Sequence, residues 1–358
     1  MSIHFHALRV KELIRETSDC VSICFDIPEN IQDQFSYREG QNITIKKTIN
    51  GEEVRRSYSI CAAPHEQTLK VAVKKVQDGL FSTYANEELR VNDMLDVMPP
   101  TGRFTTHDTS TKAPAYLAVA AGSGITPVIS IIKHTLHSNP DSSFTLIYGN
   151  QNRSSIIFFE ELERIKNKYL TRFNLINILS RERMDAEIQY GRIDAEKMAA
   201  FGKLLKYSQF EAAFLCGPEK MIFDVAAFLE EQGIKKDNIH FELFAAAGSG
   251  KNKSSTKEQA EDIGPKSKIS VRLDGRTFDF DLAFQGKSIL DAALQQGADL
   301  PFACKGGVCC TCRAKLLEGQ VKMDVNYALE KEEVEQGFIL TCQSHPLTDK
   351  VVIDFDQK

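Results

Sequence analysis

The sequence predicts a multidomain chain, because three blocks of it show three different secondary-structure patterns. Residues 1–111 contain short alternating stretches broken by turn residues, a pattern typical of a small antiparallel β-barrel. Residues 112–247 alternate apolar strands with helical stretches, which predicts a parallel α/β sheet. Residues 267–358 open with two alternating strands around Asp274 and Gly275, a strong hairpin signal, and continue into a helix, which indicates an α+β domain.

The candidate elements follow in chain order. The first block offers the strands VSICFDI, QNITIKK, RSYSICA and LKVAVKKV. In the second block, the strand candidates are AYLAVAA, FTLIYG, FNLINILS, EAAFLCG and IHFELF. Helix candidates such as PVISIIKHTLH and PEKMIFDVAAFLEEQG separate them, which places helices on both faces of the sheet. In the third block, SILDAALQQG predicts a helix with Ser288 as its N-cap and Gly297 as its end.

Composition excludes several classes of protein. The segment around residues 248–266 is small, polar and rich in Gly, Ser and Lys, so we interpret it as a flexible linker. A charged fraction of 26% with a net charge of −5 argues against a nucleic-acid binder. No apolar run approaches a membrane span, and the first residues show no signal-peptide core. Nine unevenly spread cysteines argue against a disulfide scaffold and favour a cytoplasmic location.

Four of the nine cysteines lie within residues 304–312. Cys304, Cys309 and Cys312 have C-x4-C-x2-C spacing, and 29 residues separate Cys312 from Cys342. This is the plant-type pattern for a [2Fe–2S] cluster held by four thiolates. A zinc site is the alternative, but zinc sites usually show two C-x2-C pairs and only one is present. Cys310 breaks the spacing, so we expect it to be a packed side chain and not a ligand.

With these thiols the last 90 or so residues resemble plant-type ferredoxins, which implies a β-grasp fold for residues 267–358. Residues 1 to about 245 resemble the ferredoxin–NADP reductase superfamily of flavoproteins. The order of the three blocks resembles reductase components of bacterial oxygenases, most closely the family of reductase subunits of phenylacetyl-CoA epoxidase complexes. The resemblance implies an FAD domain in residues 1–111 and an NADPH domain in residues 112–247.

The flavin residues are implied by three motifs of the first block. RSYS, residues 56–59, resembles the superfamily's R-x-Y-S signature, and PPTGRF resembles the turn that closes the flavin domain. Arg56 would pair with a flavin phosphate, Tyr58 would face the isoalloxazine, and Ser59 would lie near the flavin N5. KKVQDGLFSTYANEEL resembles the pyrophosphate segment, which implies FAD, with FMN as the alternative. Its implied binding residues are Val73, Lys74, Gly79, Ser82 and Thr83.

The nicotinamide residues are implied by three motifs of the second block. AGSGITP follows a strand and opens a helix, as a pyrophosphate-binding turn does. It resembles the family's G-x-G-x-x-P pattern, and LCGPEKM resembles its CGP signature, with Cys216 beside the nicotinamide C4. LSRE places Ser180 and Arg181 where a 2′-phosphate would lie, so we expect NADPH, with NADH as the alternative and Arg153 and Arg192 as further cations. The remaining implied binding residues are Gly122, Gly124, Thr126, Pro127, Gly217, Pro218 and Phe244.

The sequence therefore predicts an oxidoreductase that carries electrons from NADPH through FAD and a [2Fe–2S] cluster to an oxygenase partner. Ser59, Cys216 and Glu242 are the candidate catalytic residues at the hydride contact. The third block holds 14 Asp and Glu against 11 Lys and Arg, which would suit a basic patch on an oxygenase. An epoxidase component is the first expectation, and another aromatic-ring dioxygenase or di-iron hydroxylase is the alternative. A flavin and iron–sulfur redox sensor without steady turnover is the alternative from a different class.

Overall fold

The computed structural model describes residues 4–106, 111–244 and 265–357. They form two compact units. Residues 6–54 and 58–244 make up the first unit, and the second is built mainly on residues 265–357. Of the predicted linker, residues 248–266, the part up to residue 264 lies outside the described residues. None of the helices in the described part of the chain is both long and apolar enough to cross a membrane.

The first sheet has six strands, β1 to β6, in the order β4-β3-β6-β1-β2-β5. The pairings of β1 with β2 and β6, of β2 with β5, and of β3 with β6 are antiparallel. Just beyond β4, Ile60 bridges Val71 on β5, so the two outer strands meet and the sheet closes on itself. The strands are β1 (His6–Thr17), β2 (Cys20–Asp26), β3 (Asn42–Ile49), β4 (Glu52–Ser59), β5 (Leu69–Lys74) and β6 (Met94–Val97). One helix, α1 (Leu80–Glu87), follows β5.

The second sheet has five parallel strands in the order β11-β10-β7-β8-β9. The chain moves outward from β7 to β9, returns to the other side of β7, and then forms β10 and β11. Ligands bind beside the strand ends where such a sheet reverses its strand order, here between β7 and β10. The strands are β7 (Ala115–Ala121), β8 (Ser143–Asn150), β9 (Phe173–Leu179), β10 (Ala212–Gly217) and β11 (Ile239–Leu243). The helices are α2 (Ile125–Ser138), α3 (Phe159–Lys168), α4 (Ala195–Phe201) and α5 (Glu219–Glu231).

The second unit contains a five-stranded mixed sheet in the order β13-β12-β18-β14-β16. The predicted hairpin at Asp274 and Gly275 joins β12 to β13, and β18 pairs in parallel with β12. Ser288 caps α6 through its side chain, which accepts from the Asp291 N–H, as the sequence predicts. The elements are β12 (Lys266–Leu273), β13 (Arg276–Ala283), α6 (Ile289–Gln295), β14 (Arg313–Glu318), β15 (Val321–Met323), α7 (Lys331–Glu335), β16 (Phe338–Leu340), β17 (Ser344–Pro346) and β18 (Lys350–Asp354).

Candidate active site

A cavity of about 700 Å³ lies at the carboxyl ends of the parallel strands. Its position matches the point where the strand order reverses, and its volume is large enough for one of the two nucleotide halves of a dinucleotide. Seven of the residues that the sequence predicts as cofactor-binding line it: Lys74, Gly122, Ser180, Arg181, Gly217, Pro218 and Phe244. Arg192, named as a further cation, also lines the cavity. The structure thus gathers these residues from six separate segments around one space.

The turn between β7 and α2 forms one wall of this cavity. Gly122 has φ +54, which favours glycine, and the turn then leads into the 14-residue helix α2. A Cβ on Gly124 would lie 2.1 Å from the Cys216 carbonyl oxygen, so only glycine allows this close approach to the end of β10. Thr126 and Pro127 are buried, and the Thr126 hydroxyl donates to the Ser123 carbonyl at 3.0 Å. These two residues therefore support the conformation of the turn and do not line the cavity.

The three candidate catalytic residues are brought together by two contacts. The buried Ser59 hydroxyl donates to Glu242 Oε2 at 2.9 Å, and Cys216 on β10 is the register partner of Glu242 on β11. Burial raises the pKa of Glu242 to about 7, although hydrogen bonds from Ser59 and Asn42 oppose that rise. Burial, aided by the Glu242 charge, raises the pKa of the Cys216 thiol well above its usual range. At neutral pH the cluster therefore offers a neutral thiol and a carboxyl group near its midpoint.

Asn42 is a site residue that the sequence analysis missed. It begins β3, its side chain is buried, and it hydrogen-bonds to the Glu242 carboxyl. Its backbone also pairs with Thr101 in both directions at 2.8 Å. A buried amide at the start of a strand is a signal that could have pointed to it, because buried polar groups usually have a specific partner.

The raised pKa of Glu242 predicts a pH-dependent stability difference. The folded state binds the proton more tightly than the unfolded chain, whose value is near 4.5. This contribution is complete below the unfolded value and is lost as pH rises through about 7. We expect the difference in free energy of unfolding between wild type and Glu242→Gln to shrink by up to about 3 kcal/mol from pH 5 to pH 8. Denaturant titrations at several pH values measure it, and a flat difference would contradict the assignment.

The flavin residues of the first block divide into exposed and packed groups. Arg56 is exposed, and its guanidinium donates to the Arg55 carbonyl at 2.8 Å. Tyr58 is half-buried, with its ring centroid 5.6 Å from that of Phe81. Val73 is fully buried in the barrel core, so any contact it makes to a cofactor would come from its backbone. Of these three residues, only Tyr58 has an aromatic ring that is partly exposed, and such a ring can stack on a flavin.

The N-cap and the first turn of α1 hold the other three predicted phosphate residues. Gly79 is the N-cap of α1, and the Thr83 N–H donates to its carbonyl at 2.9 Å. The Ser82 hydroxyl accepts from the Val76 N–H at 3.2 Å and donates to the Gly79 carbonyl at 3.1 Å. The side chain of Ser82 therefore holds the turn closed. What the turn offers a phosphate is the backbone N–H groups at the start of the helix.

The four cysteines of the predicted cluster lie in one loop region and form two thiol pairs. Cys309 hydrogen-bonds to Cys304, which lowers the pKa of Cys304 to about 6. Cys312 hydrogen-bonds to Cys342, which lowers the pKa of Cys342 as well. The Gly306 N–H also donates to Cys304 Sγ at 3.3 Å. Gly307 adopts φ +73, and its N–H donates a hydrogen bond to the Cys342 sulfur. Backbone donors thus surround the sulfurs, as they do in clusters that carry negative charge.

This pairing fits a binuclear cluster better than a single metal ion. A single zinc ion needs four ligands converging on one point. Two thiols for each of two irons is the arrangement that a [2Fe–2S] cluster requires. The Cys310 thiol instead donates to the Ala328 carbonyl at 3.2 Å, in agreement with its interpretation as a packed side chain.

Comparison with known proteins identifies the family. Residues 7–106 match the oxidoreductase FAD-binding domain, residues 118–227 the oxidoreductase NAD-binding domain, and residues 271–347 the 2Fe-2S iron-sulfur cluster binding domain. A subunit of the 1,2-phenylacetyl-CoA epoxidase from Escherichia coli K12 is 44% identical over 99% of this chain and 98% of its own length. This chain belongs to the ferredoxin–NADP reductase-type family of oxygenase reductases. The reductase is therefore an oxidoreductase that uses FAD, NAD(P)H and a [2Fe–2S] cluster.

Two further similarities place the reductase among electron-transfer components. The ferredoxin reductase component of 3-ketosteroid-9-alpha-monooxygenase from Rhodococcus rhodochrous is 33% identical over 97% of this chain and 96% of its own length. The solved structure of phthalate dioxygenase reductase aligns with a TM-score of 0.58 at 21% identity, covering 98% of each chain. That structure shows the same fold. The predicted fold class, with an antiparallel FAD domain, a parallel α/β domain and a ferredoxin domain, is confirmed.

Proposed function

We propose that this reductase takes a hydride from NADPH and delivers electrons one at a time to the oxygenase component of a phenylacetyl-CoA epoxidase. The observation that carries the proposal is the Ser59, Cys216 and Glu242 group beside the nucleotide cavity, in a chain that also pairs four cluster thiols. When bound, FAD accepts two electrons as hydride and releases them singly, and the cluster carries one at a time.

The chain's own residues hold and orient the reacting groups. The Ser59 hydroxyl donates a hydrogen bond to Glu242, which leaves the oxygen lone pairs of Ser59 free to accept a hydrogen bond from a bound cofactor. Glu242 can hold or release a proton near neutral pH, so it can exchange protons without a distant relay. Cys216 stays neutral and buried, and we infer that it excludes water from the hydride contact.

The remaining residue assignments support this proposal. We assign Arg56, Tyr58 and the turn around Gly79, Ser82 and Thr83 to FAD. We assign the turn of Gly122 and Gly124 and the lining residues of the cavity to the nucleotide. Lys74 lines that cavity although it lies on β5 of the barrel, and its ammonium group pairs with Asp19 at 3.6 Å. We propose that a phosphate competes with Asp19 for this ammonium group. We further propose residues 1–111, 112–247 and 267–358 as the three domains, residues 248–266 as the linker, and the cytoplasm as the location.

The coenzyme preference follows from the cations in the cavity. Arg181 is exposed and lines the cavity beside Ser180 and Arg192, whereas Arg153 stacks on Phe159 at 4.8 Å. A guanidinium suits a 2′-phosphate because it donates two hydrogen bonds at once. We therefore propose NADPH as the electron donor in preference to NADH.

Arg181→Asp tests the coenzyme proposal. Loss of the cation and gain of a carboxylate should raise the KM for NADPH by about tenfold to a hundredfold, since a charged hydrogen bond contributes about 1.5–3 kcal/mol. The KM for NADH should stay within about threefold, because NADH has no 2′-phosphate. Arg183→Asp is the matched control, since Arg183 lies over the Tyr190 ring and does not line the cavity. An unchanged ratio of NADPH to NADH efficiency for Arg181→Asp would contradict the proposal.

The partner is tested by reconstitution. The 44% identical relative is a subunit of a phenylacetyl-CoA epoxidase, which favours that oxygenase over other aromatic-ring or di-iron oxygenases. With NADPH, the reductase should support consumption of phenylacetyl-CoA by the purified epoxidase component, at a rate that saturates with reductase concentration. Rapid cytochrome c reduction without support for the epoxidase would point to a different oxygenase. A cofactor-replete protein that reduces neither would point to a redox sensor.

A further inference from the structure

A buried lysine joins the two halves of the first unit. Lys133 on α2 is 8% exposed, and its Nζ lies 2.7 Å from Glu66 Oε2 and 2.7 Å from Glu161 Oε1. The second oxygen of Glu161 lies 3.3 Å from the Nζ of Lys70 on β5. Lys133 and Glu161 belong to the parallel-sheet half, while Glu66 and Lys70 belong to the barrel half. The four charges alternate in sign across the boundary between these halves.

The lowered pKa of Glu161 indicates that the network is charged. Burial alone would raise the pKa of this carboxyl group, but the nearby Lys133 and Lys70 outweigh burial and hold its pKa below its usual value. Exposed ion pairs contribute little, whereas a buried pair that loses one partner leaves an unpaired charge out of water. The boundary is therefore sensitive to the loss of Lys133.

A hydrogen-bonded contact supports the same helix one turn earlier. The Ser130 hydroxyl donates to the Ala62 carbonyl at 2.7 Å and accepts from the Gly40 N–H at 3.4 Å. Glu66 also accepts from the Ala63 N–H at 2.6 Å, which closes the short turn Pro64–Glu66. Helix α2 is thus fixed to the segment of chain that runs from Ser59 to Glu66.

The two segments that these contacts join, helix α2 and the barrel segment from Ser59 to Glu66, both begin beside the proposed hydride contact. Helix α2 begins directly after the nucleotide turn at Gly122 and Gly124, and the barrel segment begins at Ser59. Hydride transfer depends steeply on the separation and alignment of the reacting atoms. We propose that Lys133 is a positioning residue, which sets the nucleotide turn against the flavin segment through Glu66 and Glu161. This inference rests on the hydride transfer proposed above, and it adds a residue outside the cavity to that reaction.

Lys133→Met in the cofactor-replete protein tests the inference, because methionine keeps much of the chain length and removes the charge. At saturating NADPH, anaerobic stopped-flow should show the rate constant of flavin reduction falling by about tenfold or more, since small misplacements cost up to a hundredfold. The Kd for NADPH should stay within about threefold, because Lys133 does not line the cavity. The kinetic isotope effect with deuterated NADPH should become more dependent on temperature.

Lys46→Met and Lys133→Arg are the controls. Lys46 pairs with Asp96 at 3.7 Å, and both residues lie in the barrel half, so the loss of this pair should leave the rate constant unchanged. Lys133→Arg keeps the charge and should recover most of the rate. If Lys133→Met does not fold, Glu66→Gln tests the inference in its place. This variant weakens only one of the two ion pairs of Lys133, so we expect flavin reduction to slow by about threefold or more.

Two results would overturn the inference. One is a folded Lys133→Met protein with full FAD and cluster content that reduces its flavin within twofold of the wild-type rate. The other is a slowing that saturating NADPH or added FAD restores in full, because that would show a loss of binding and not of alignment. If NADPH does not reduce the flavin of the wild-type protein, the proposed function itself is refuted.

Discussion

Replacing Cys309 with alanine is expected to remove the cluster and to lower NADPH-dependent cytochrome c reduction by about a hundredfold or more, because a [2Fe–2S] cluster needs four thiolates. Cys309 hydrogen-bonds to Cys304 in the structure, so its loss leaves the first thiol pair incomplete. Tyr58, Ser59 and the turn at Gly79 lie in the other unit, and flavin reduction by NADPH should persist at the wild-type rate. Iron content, visible absorption and stopped-flow flavin reduction measure the three effects separately.

Cys310→Ala is the matched control, since it removes a thiol from the same loop. Its sulfur donates to the Ala328 carbonyl, and its position breaks the cluster spacing. This variant should keep two irons per chain and most of its cytochrome c activity. Loss of iron from Cys310→Ala, or retention of the full cluster by Cys309→Ala, would contradict the assignment of ligands.

Gly124→Ala should lower kcat/KM for NADPH by about a hundredfold, because the added methyl group would displace the nucleotide turn. The new Cβ would lie 2.1 Å from the Cys216 carbonyl oxygen and 2.9 Å from the Gly217 nitrogen, both of them backbone atoms. Either α2 or the end of β10 must move, and both border the proposed hydride contact. Steady-state kinetics with NADPH measure the effect.

Gly233→Ala separates this clash from ordinary backbone strain. Gly233 has φ +95, with no atom near the position of an added Cβ. Alanine there should cost about 1 kcal/mol of stability, the usual cost of a left-handed residue, and leave kcat/KM unchanged. A Gly124→Ala protein with kcat/KM within threefold of wild type would contradict the close approach seen in the structure.

Local patterns in the sequence were enough to predict much of the fold and the cluster loop. The order of sheets and helices follows from hydrophobic periodicity, and the four proposed ligands follow from cysteine spacing. The glycine turn at Gly122 and Gly124 was predictable from a local motif. These features need no knowledge of which distant residues meet.

Contacts between distant segments were beyond such reasoning. Lys133 is separated from Glu66 by 67 residues, and an isolated lysine in an amphipathic helix ordinarily indicates a solvated face. Asn42 meets Glu242 only because the first and second sheets come together. The sequence does not reveal that the Ser82 hydroxyl is used within the turn, so that any contribution of Ser82 to phosphate binding would come from its backbone N–H.

The central claim is that one chain connects a nicotinamide site to an iron–sulfur cluster through a flavin. Its most direct test is rapid anaerobic mixing of the cofactor-replete protein with NADPH, followed by flavin absorbance and by electron paramagnetic resonance of the frozen samples. We predict that the flavin absorbance falls first and that the signal of the reduced cluster then rises with a rate independent of protein concentration. A cluster that stays oxidised while the flavin is fully reduced, or one that is reduced in protein without flavin, would contradict the account.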